Sequence, residues 1–463
     1  MKKVFGFIVL LIACNFTVNS QDVIISLTGQ EYQTPLELNF INLENLTNTS
    51  QVMLSNLPAG TTTYRINLSK GIILGGGEDL PSDPQRIQVL CNRPGLLKLQ
   101  IDFLEEESVI IDIYDINGRK IHEENLSCDK GENRLEISSG GNGMLLAELH
   151  GTMFKYCNKF FGDGSGREIE IVSSSGTSTL KTGEVSFPES NYMPVEFIYI
   201  PGDVVRFTAF KAGYYISSIV RIPQHEDSYT LYLSMPCPGI PAVSDFDGNV
   251  YYTVQIGNQC WMRENVNSTH YSDGTPLTDG TGVGPIFGDY TTPYWFNYDD
   301  SVYNSLTYGK LYTWTAVMHG AESSNSIPSG VQGICPNGWH VPSDEEWIVL
   351  EMFLGMSEFE AYQWMEWRGT YEGGKLKESE TNHWMEPNSG ASNESGFTGL
   401  PGGLRNSDGL FMEKKYGGRW WSTTEYPGTN SSAIRWITYD LSMIWRDFGS
   451  KNTARSVRCL KDD

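Results

Sequence analysis

Apolar and polar residues alternate in short runs through the first half of the chain. Thr62–Leu68 (Thr-Thr-Tyr-Arg-Ile-Asn-Leu) and Leu97–Phe103 (Leu-Lys-Leu-Gln-Ile-Asp-Phe) both follow this pattern. Alternation sends successive side chains to opposite faces and predicts half-buried strands. Ser108–Ile121 reads as a strand, an Asn117-Gly118 turn and a returning strand. Gly131–Ser138 and Gly143–Leu149 continue the meander. Val195–Ile200, Val204–Phe210 and Tyr229–Leu233 are further strands, parted by Pro201-Gly202 and Ala212-Gly213. The pattern predicts a β-sandwich-like accessory region over 21–161 and a small β module over 165–236. Met235–Pro241 is a Pro-rich linker, where helix and sheet interior are both disfavoured.

Beyond the linker the rhythm changes. Asp245–Asn265 reads as a hairpin turning at Asp247-Gly248-Asn249, with a second turn opening at Gly257-Asn258. Asp245-x-Asp247-x-Asn249 has its glycine misplaced for a calcium loop and no Glu at the twelfth position. Tyr308–Met318 sets Leu311, Thr315 and Met318 on one helical face. Ser343-Asp-Glu-Glu346 is a capping box, after which Trp347, Leu350 and Leu354 follow at helical spacing and Gly355 ends the helix. The remainder is loop-rich, with strands returning at Ala433–Ile437 and Ala454–Cys459. One domain over 237–463 is expected.

All twelve tryptophans lie between Trp261 and Trp445, so the two halves build their cores differently. A chain of 463 residues needs two to four cores. A formal charge of −23 makes nucleic acid a poor partner, because phosphate recognition needs a basic patch. Lys2-Lys3 followed by apolar Val4–Ala13 reads as an export leader, too short to span a bilayer. Val18-Asn19-Ser20 fits leader cleavage before Gln21, making 1–20 a signal peptide, and the strand-like Asp22–Ser26 favours that site. Leu11-Ile12-Ala13-Cys14 also resembles a lipobox, which would leave a lipid on Cys14. No later segment is long and apolar enough to span a membrane, so an extracellular or cell-surface location is expected. Export permits disulfides, and seven cysteines remain beyond Cys14, none in a Cys-x-x-Cys pair.

Two resemblances emerge from these residues. The Ile113-Tyr-Asp-x-x-Gly118 hairpin followed by the Gly143 strand resembles the sorting tail of a Bacteroidetes-type secretion system, over about 85–160. That family's tail is C-terminal, whereas this segment is internal, so it is read as a sandwich module. The blocks Asp245-x-Asp-Gly-Asn-x-Tyr251, Val254-x-Ile-Gly-Asn-Gln-x-Trp-Met-x-Glu-Asn265, Tyr308-Gly-x-Leu-Tyr-x-Trp314, Cys335-Pro-x-Gly-Trp-His-Val-Pro-Ser-Asp-x-Glu-Trp347, Asn393-Glu-Ser-Gly-Phe397, Trp420-Trp-Ser-Thr-Thr-Glu425 and Ser456-Val-Arg-Cys459 occur in order. Together they resemble the Fibrobacter succinogenes major paralogous domain over about 237–463. The resemblance implies a C-type-lectin-like fold, shared with formylglycine-generating enzymes, whose helix start is similar to His340–Trp347. It also implies bridges Cys335–Cys459 and Cys237–Cys260. The pairing of Cys91, Cys128 and Cys157 stays open. The expected fold class is therefore mainly β in the N-terminal half, followed by an α+β lectin-like domain.

Candidate chemistry follows from the loops. No Gly-x-Ser-x-Gly elbow, His-Glu-x-x-His helix or phosphate loop occurs. With Cys335 and Cys459 bridged, no reactive thiol pair is evident, so no enzymatic activity, cofactor or metal is expected. His340 is expected as a core residue. Glu386-Pro387-Asn388 matches a calcium lectin tripeptide, but its Trp-Asn-Asp companion is missing. Calcium-free glycan binding is the leading expectation, with indoles stacking on sugar rings and polar groups reading hydroxyls. Trp384, Asn388, Asn393, Glu394, Arg405, Trp421 and Glu425 are the candidate ligand residues. Alternation at Trp420-Trp421 predicts one ring inward and one outward. The alternative is a structural or adhesive protein contacting other proteins at the cell envelope.

Overall fold

A computed structural model describes residues 23–54, 57–69, 72–74, 86–93, 95–103, 106–115, 120–141, 144–150, 155–175 and 197–462. The leader and Cys14 lie outside the described residues, as do the side chains of Cys91 and Cys157. Strand accounts for 42% of the structure and helix for 9%, so the chain is mainly β throughout.

The first sandwich is built from two distant stretches of chain. One sheet has the strand order Ser228–Tyr232, Ile24–Glu31, Thr63–Asn67, Ile72–Leu74, with Thr34–Leu36 also paired to Ile24–Glu31. The facing sheet runs Ser217–Arg221, Val205–Phe210, Phe40–Asn45, Gln51–Leu54. Alternate residues Ile25 and Leu27, with Tyr64 and Ile66, pack against Ile41, Leu43, Val205 and Phe207. Ser228–Tyr232 lies parallel to Ile24–Glu31, Ser26 opposite Ser228, whereas its other neighbour is antiparallel. Residues 165–236 are therefore not a module of their own, because Val205–Tyr232 completes a sandwich begun at Ile24.

A second sandwich is inserted into the first. Its sheets run Glu170–Ser175, Gly131–Ser138, Leu96–Phe103, Arg86–Arg93 and Lys120–Cys128, Glu107–Asp115, Met144–His150, Lys155–Phe161. Leu97, Leu99 and Ile101 meet Ile111, Ile113 and Leu149 across its core, where Cys128 is also buried. The accessory region expected over 21–161 thus divides between two sandwiches, and the inserted one extends to Ser175. Tyr114 of the insert meets Phe210 edge-on at 5.2 Å, and Phe210 stacks on Phe40 at 4.7 Å.

The C-terminal unit begins with the expected hairpin, Ala242–Ser244 turning at Asp247-Gly248-Asn249 into Val250–Ile256, which pairs across the second turn with Gln259–Met262. The closing strand Leu460–Lys461 pairs with Gln259–Met262, with Trp339–His340 on the far side, so the opening hairpins and the last strand share one sheet. Both expected bridges form: Cys237–Cys260, and Cys335–Cys459 closing a separation of 124 residues. A loop of that length corresponds to about 5 kcal/mol in the chain-entropy account. The helix Asp344–Phe353 carries the expected capping box, Ser343 Oγ accepting from Glu346 N at 3.2 Å and Glu346 accepting from Ser343 N at 2.8 Å. His340 is buried between Glu346 (2.9 Å) and Asp462 (2.6 Å). Tyr308–Met318 is not one helix. Val302–Tyr308 is helical, Gly309 ends it at φ 75°, Leu311–Thr313 is a strand, and Trp314–Met318 is a short second helix.

A large mixed sheet carries the rest. From its middle to one edge the strands run Gly402–Arg405, Gly417–Glu425, Ser431–Thr438, Ile444–Ser450 and Glu366–Arg368. Both Trp420 and Trp421 are buried, contrary to the alternation rule, because Gly417–Glu425 is covered on both faces. The first sandwich docks against the strand Val250–Ile256 and the helix Asp344–Phe353. Tyr32 donates to Gln255 O (2.9 Å) and meets Phe353 edge-on at 5.0 Å, while Tyr215 donates to Thr253 O (2.7 Å). Among the described residues no helix is long and apolar enough to cross a membrane.

Candidate ligand-binding surfaces

The recurring sequence blocks meet around one carboxamide. Asn265 follows the hairpin strand Gln259–Met262, and its Oδ1 accepts from Trp420 Nε1 (2.8 Å), Arg458 Nη2 (2.9 Å) and Arg458 Nε (3.1 Å). Its Nδ2 donates to Tyr308 O at 2.8 Å. Arg458 also donates to Met262 O and Phe397 O and stacks on the Phe397 ring at 4.1 Å. Burial lowers the Arg458 pKa and Glu264 opposes that shift. Around them Trp261 packs at 4.8 Å from Trp347, and Phe397 at 5.7 Å from Trp420. A buried guanidinium needs this many acceptors, since an unpaired one costs several kcal/mol.

Above this network opens a cleft of 390 Å³, lined among others by Asn249, Arg263, Glu264, Asn267, Thr307 and Thr398. Glu264 commits one oxygen to Tyr252 N–H (2.7 Å) and stays accessible at its residue surface. Protein surrounds its carboxyl closely enough that desolvation raises the pKa, opposed by Arg263 and Arg458. Arg263 donates to Gly396 O (3.2 Å) and Thr398 Oγ1 (3.2 Å), and its guanidinium stacks 3.7 Å from the Tyr215 ring of the first sandwich. Gly309 is required in the wall. A Cβ there would lie 2.7 Å from Asn265 Cβ, at a positive φ that disfavours side chains.

A second surface lies on the outer face of the large sheet. Register places Arg419, Trp436, Trp445 and Trp367 side by side across four strands. The three indoles are partly exposed, and their centroids are 5.1 Å (Trp367–Trp436), 5.3 Å (Trp367–Trp445) and 6.3 Å (Trp436–Trp445) apart. Arg419 stacks 3.8 Å from Trp436 and grips Glu413 through two bonds of 2.8 Å. Trp445 Nε1 donates to Asp447 Oδ2 at 3.1 Å. The result is one compact aromatic ledge with a bidentate ion pair at its end.

The candidate residues named from sequence do not converge. Trp384 is 2% exposed and donates to Gly399 O (3.1 Å); Trp421 is 0% exposed and donates to Tyr312 O (2.8 Å). Arg405, 1% exposed, donates to the carbonyls of Val283 and Gly284 and stacks on Phe296. Asn388 is buried too, its Nδ2 holding the carbonyls of Glu378 and Glu380. These four are corrected to structural residues, because they are buried and their N–H donors serve backbone carbonyls. Asn393 Oδ1 accepts from Thr398 N (2.9 Å) and so shapes the cleft rim. Glu394 pairs with Lys375 (3.6 Å), and Glu425 pairs with Lys451. Sequence reasoning missed Trp367, Trp436 and Trp445. Each stands on a different strand, so only the cross-strand register brings them together.

Residues 254–461 match the Fibrobacter succinogenes major domain family, and residues 94–161, inside the inserted sandwich, match the secretion system C-terminal sorting domain. The second match indicates export to the cell surface or beyond. No curated protein and no solved structure matches the chain.

Proposed function

We propose that the C-terminal unit is a non-catalytic glycan-recognition module of an exported protein, binding through the Trp367–Trp436–Trp445 ledge. The observation that carries this reading is the open aromatic face beside Arg419–Glu413. Indoles offer apolar faces to the C–H side of a pyranose, and a fixed ion pair supplies both a donor and an acceptor for its hydroxyls. The separations of 5.1–6.3 Å make the ledge one stacking patch rather than a long track. A lectin-like arrangement is part of the same reading, supported by the pairing of the last strand with the opening hairpin strand Gln259–Met262 and by the Cys335–Cys459 closure.

The test is a glycan-array screen of the full chain, with calcium and with chelator. Selective binding that survives chelation and falls at least tenfold in Trp445→Ala is expected. A blank array from correctly bridged protein rejects the reading and favours protein–protein contact at the cell envelope.

A further inference from the structure

The 390 Å³ cleft is a second feature, separate from the ledge and built by the converging sequence blocks. Its size suits a small molecule. Its lining is mixed. Val250, Tyr251, Leu306 and Leu400 make the greater part of the exposed surface apolar, but the carboxamides, hydroxyls and charges beside them would be left unsatisfied by a purely apolar ligand. Arg263 shares the lining with two carboxylates, Glu264 and Glu378, the latter bonded to His383 at 2.9 Å, so an anion finds no net attraction there. A neutral ligand with apolar C–H faces and many groups that both donate and accept matches this mixture. Asn267, Thr307 and Glu264 supply complementary partners, Glu264 having one oxygen beyond that bonded to Tyr252 N–H.

The wall is completed from outside the C-terminal unit. Arg263 would otherwise be a long, mobile side chain. Here it is clamped between the Tyr215 ring at 3.7 Å and the Gly396 and Thr398 acceptors. Tyr215 is itself anchored by its hydroxyl on Thr253 O. The first sandwich therefore shapes a cavity in its neighbour.

We propose that this cleft is a second binding site, taking a single neutral polyhydroxyl unit such as a monosaccharide, with Glu264 as the main acceptor and Tyr215 as a positioning residue for Arg263. The site is independent of the tryptophan ledge. A panel of free glucose, galactose, mannose and xylose, read by saturation-transfer NMR on the full chain, tests it. At least one sugar is expected to give transfer. Glu264→Gln, which keeps the shape and removes the charge, should weaken that sugar at least fivefold, and Asn267→Ala about as much. Tyr215→Ala should weaken it about threefold, while Tyr215→Phe, which keeps the stacked ring, leaves it unchanged. Trp445→Ala should leave it unchanged as well. Near-UV circular dichroism confirms that each variant is folded. No transfer to the native chain overturns the proposal, as does transfer indifferent to Glu264→Gln. Transfer abolished by Trp445→Ala also overturns it by moving the binding to the ledge.

Discussion

Neighbouring residues on the strands Ser431–Thr438 and Ile444–Ser450 have opposite environments. Arg435 and Arg446, paired in register, point inward beneath the helix Asp344–Phe353 and are almost wholly buried. Trp436 and Trp445, also paired, point outward and remain partly open. The sheet inverts the usual preference of arginine for the surface and tryptophan for the interior. The inner face tolerates its charges because they are matched. Arg435 holds Asp344 at 2.6 Å and Glu351, Arg446 holds Asp344 through two bonds, and Arg368 holds Glu351 at 3.0 and 3.1 Å. The outer face has no comparable cover among the described residues, and ring stacking, the Arg419–Glu413 pair and the Trp445–Asp447 hydrogen bond order it. One face is committed to stability, while the other is left available to a ligand.

The largest test of this contrast breaks the inner face. Asp344→Ala leaves Arg435 and Arg446 sharing too few acceptors, and about 3–5 kcal/mol of stability should be lost in urea unfolding. A loss near zero would mean that water satisfies the freed guanidiniums and the two faces are less different than described. A milder perturbation comes from pH. Burial works against the charge of His340, but the carboxylates of Glu346 and Asp462 outweigh it, so its pKa is raised. A raised histidine stabilises the fold below its unfolded value, and the gain is lost as pH climbs through the folded one. Stability should therefore decline as pH rises above the ordinary histidine value of about 6.5, a decline absent in His340→Gln. The smallest effect belongs to the outer face. Trp445→Ala should cost only about 1 kcal/mol in unfolding, the scale of a lost aromatic pair, despite its large expected effect on glycan affinity. A cost of several kcal/mol would reassign the ledge to the core.

The features legible in the sequence are those decided by neighbours in the chain. Ser343 and Glu346 lie three residues apart and announce a helix start whatever surrounds them. Asp247-Gly248-Asn249 likewise forces a hairpin. Gly309 was also local, but the positive φ at which it divides Tyr308–Met318 between helix and strand goes with close packing on Asn265, which leaves no room for a Cβ. The positions of Trp384, Arg405 and Trp421 were illegible for another reason: loop-rich composition suggests exposure, whereas distant carbonyls pull their polar atoms inside. The split first sandwich was hidden altogether. Nothing in Ile24–Glu31 states that one neighbour is Ser228–Tyr232, because strand pairing across an insertion carries no periodic signature.

That pairing sets an order of events as the chain emerges. Ile24–Glu31 is made early, yet its parallel neighbour arrives only after the whole inserted sandwich, and loop closure must precede any reward from that contact. The insert has every strand of its own sheets within one continuous stretch and can condense first. The outer sandwich then waits with an unpaired strand edge, the species most exposed to misassembly during synthesis and export. Refolding should accordingly show a fast phase from the insert and a slower one that ends when Ser228–Tyr232 docks.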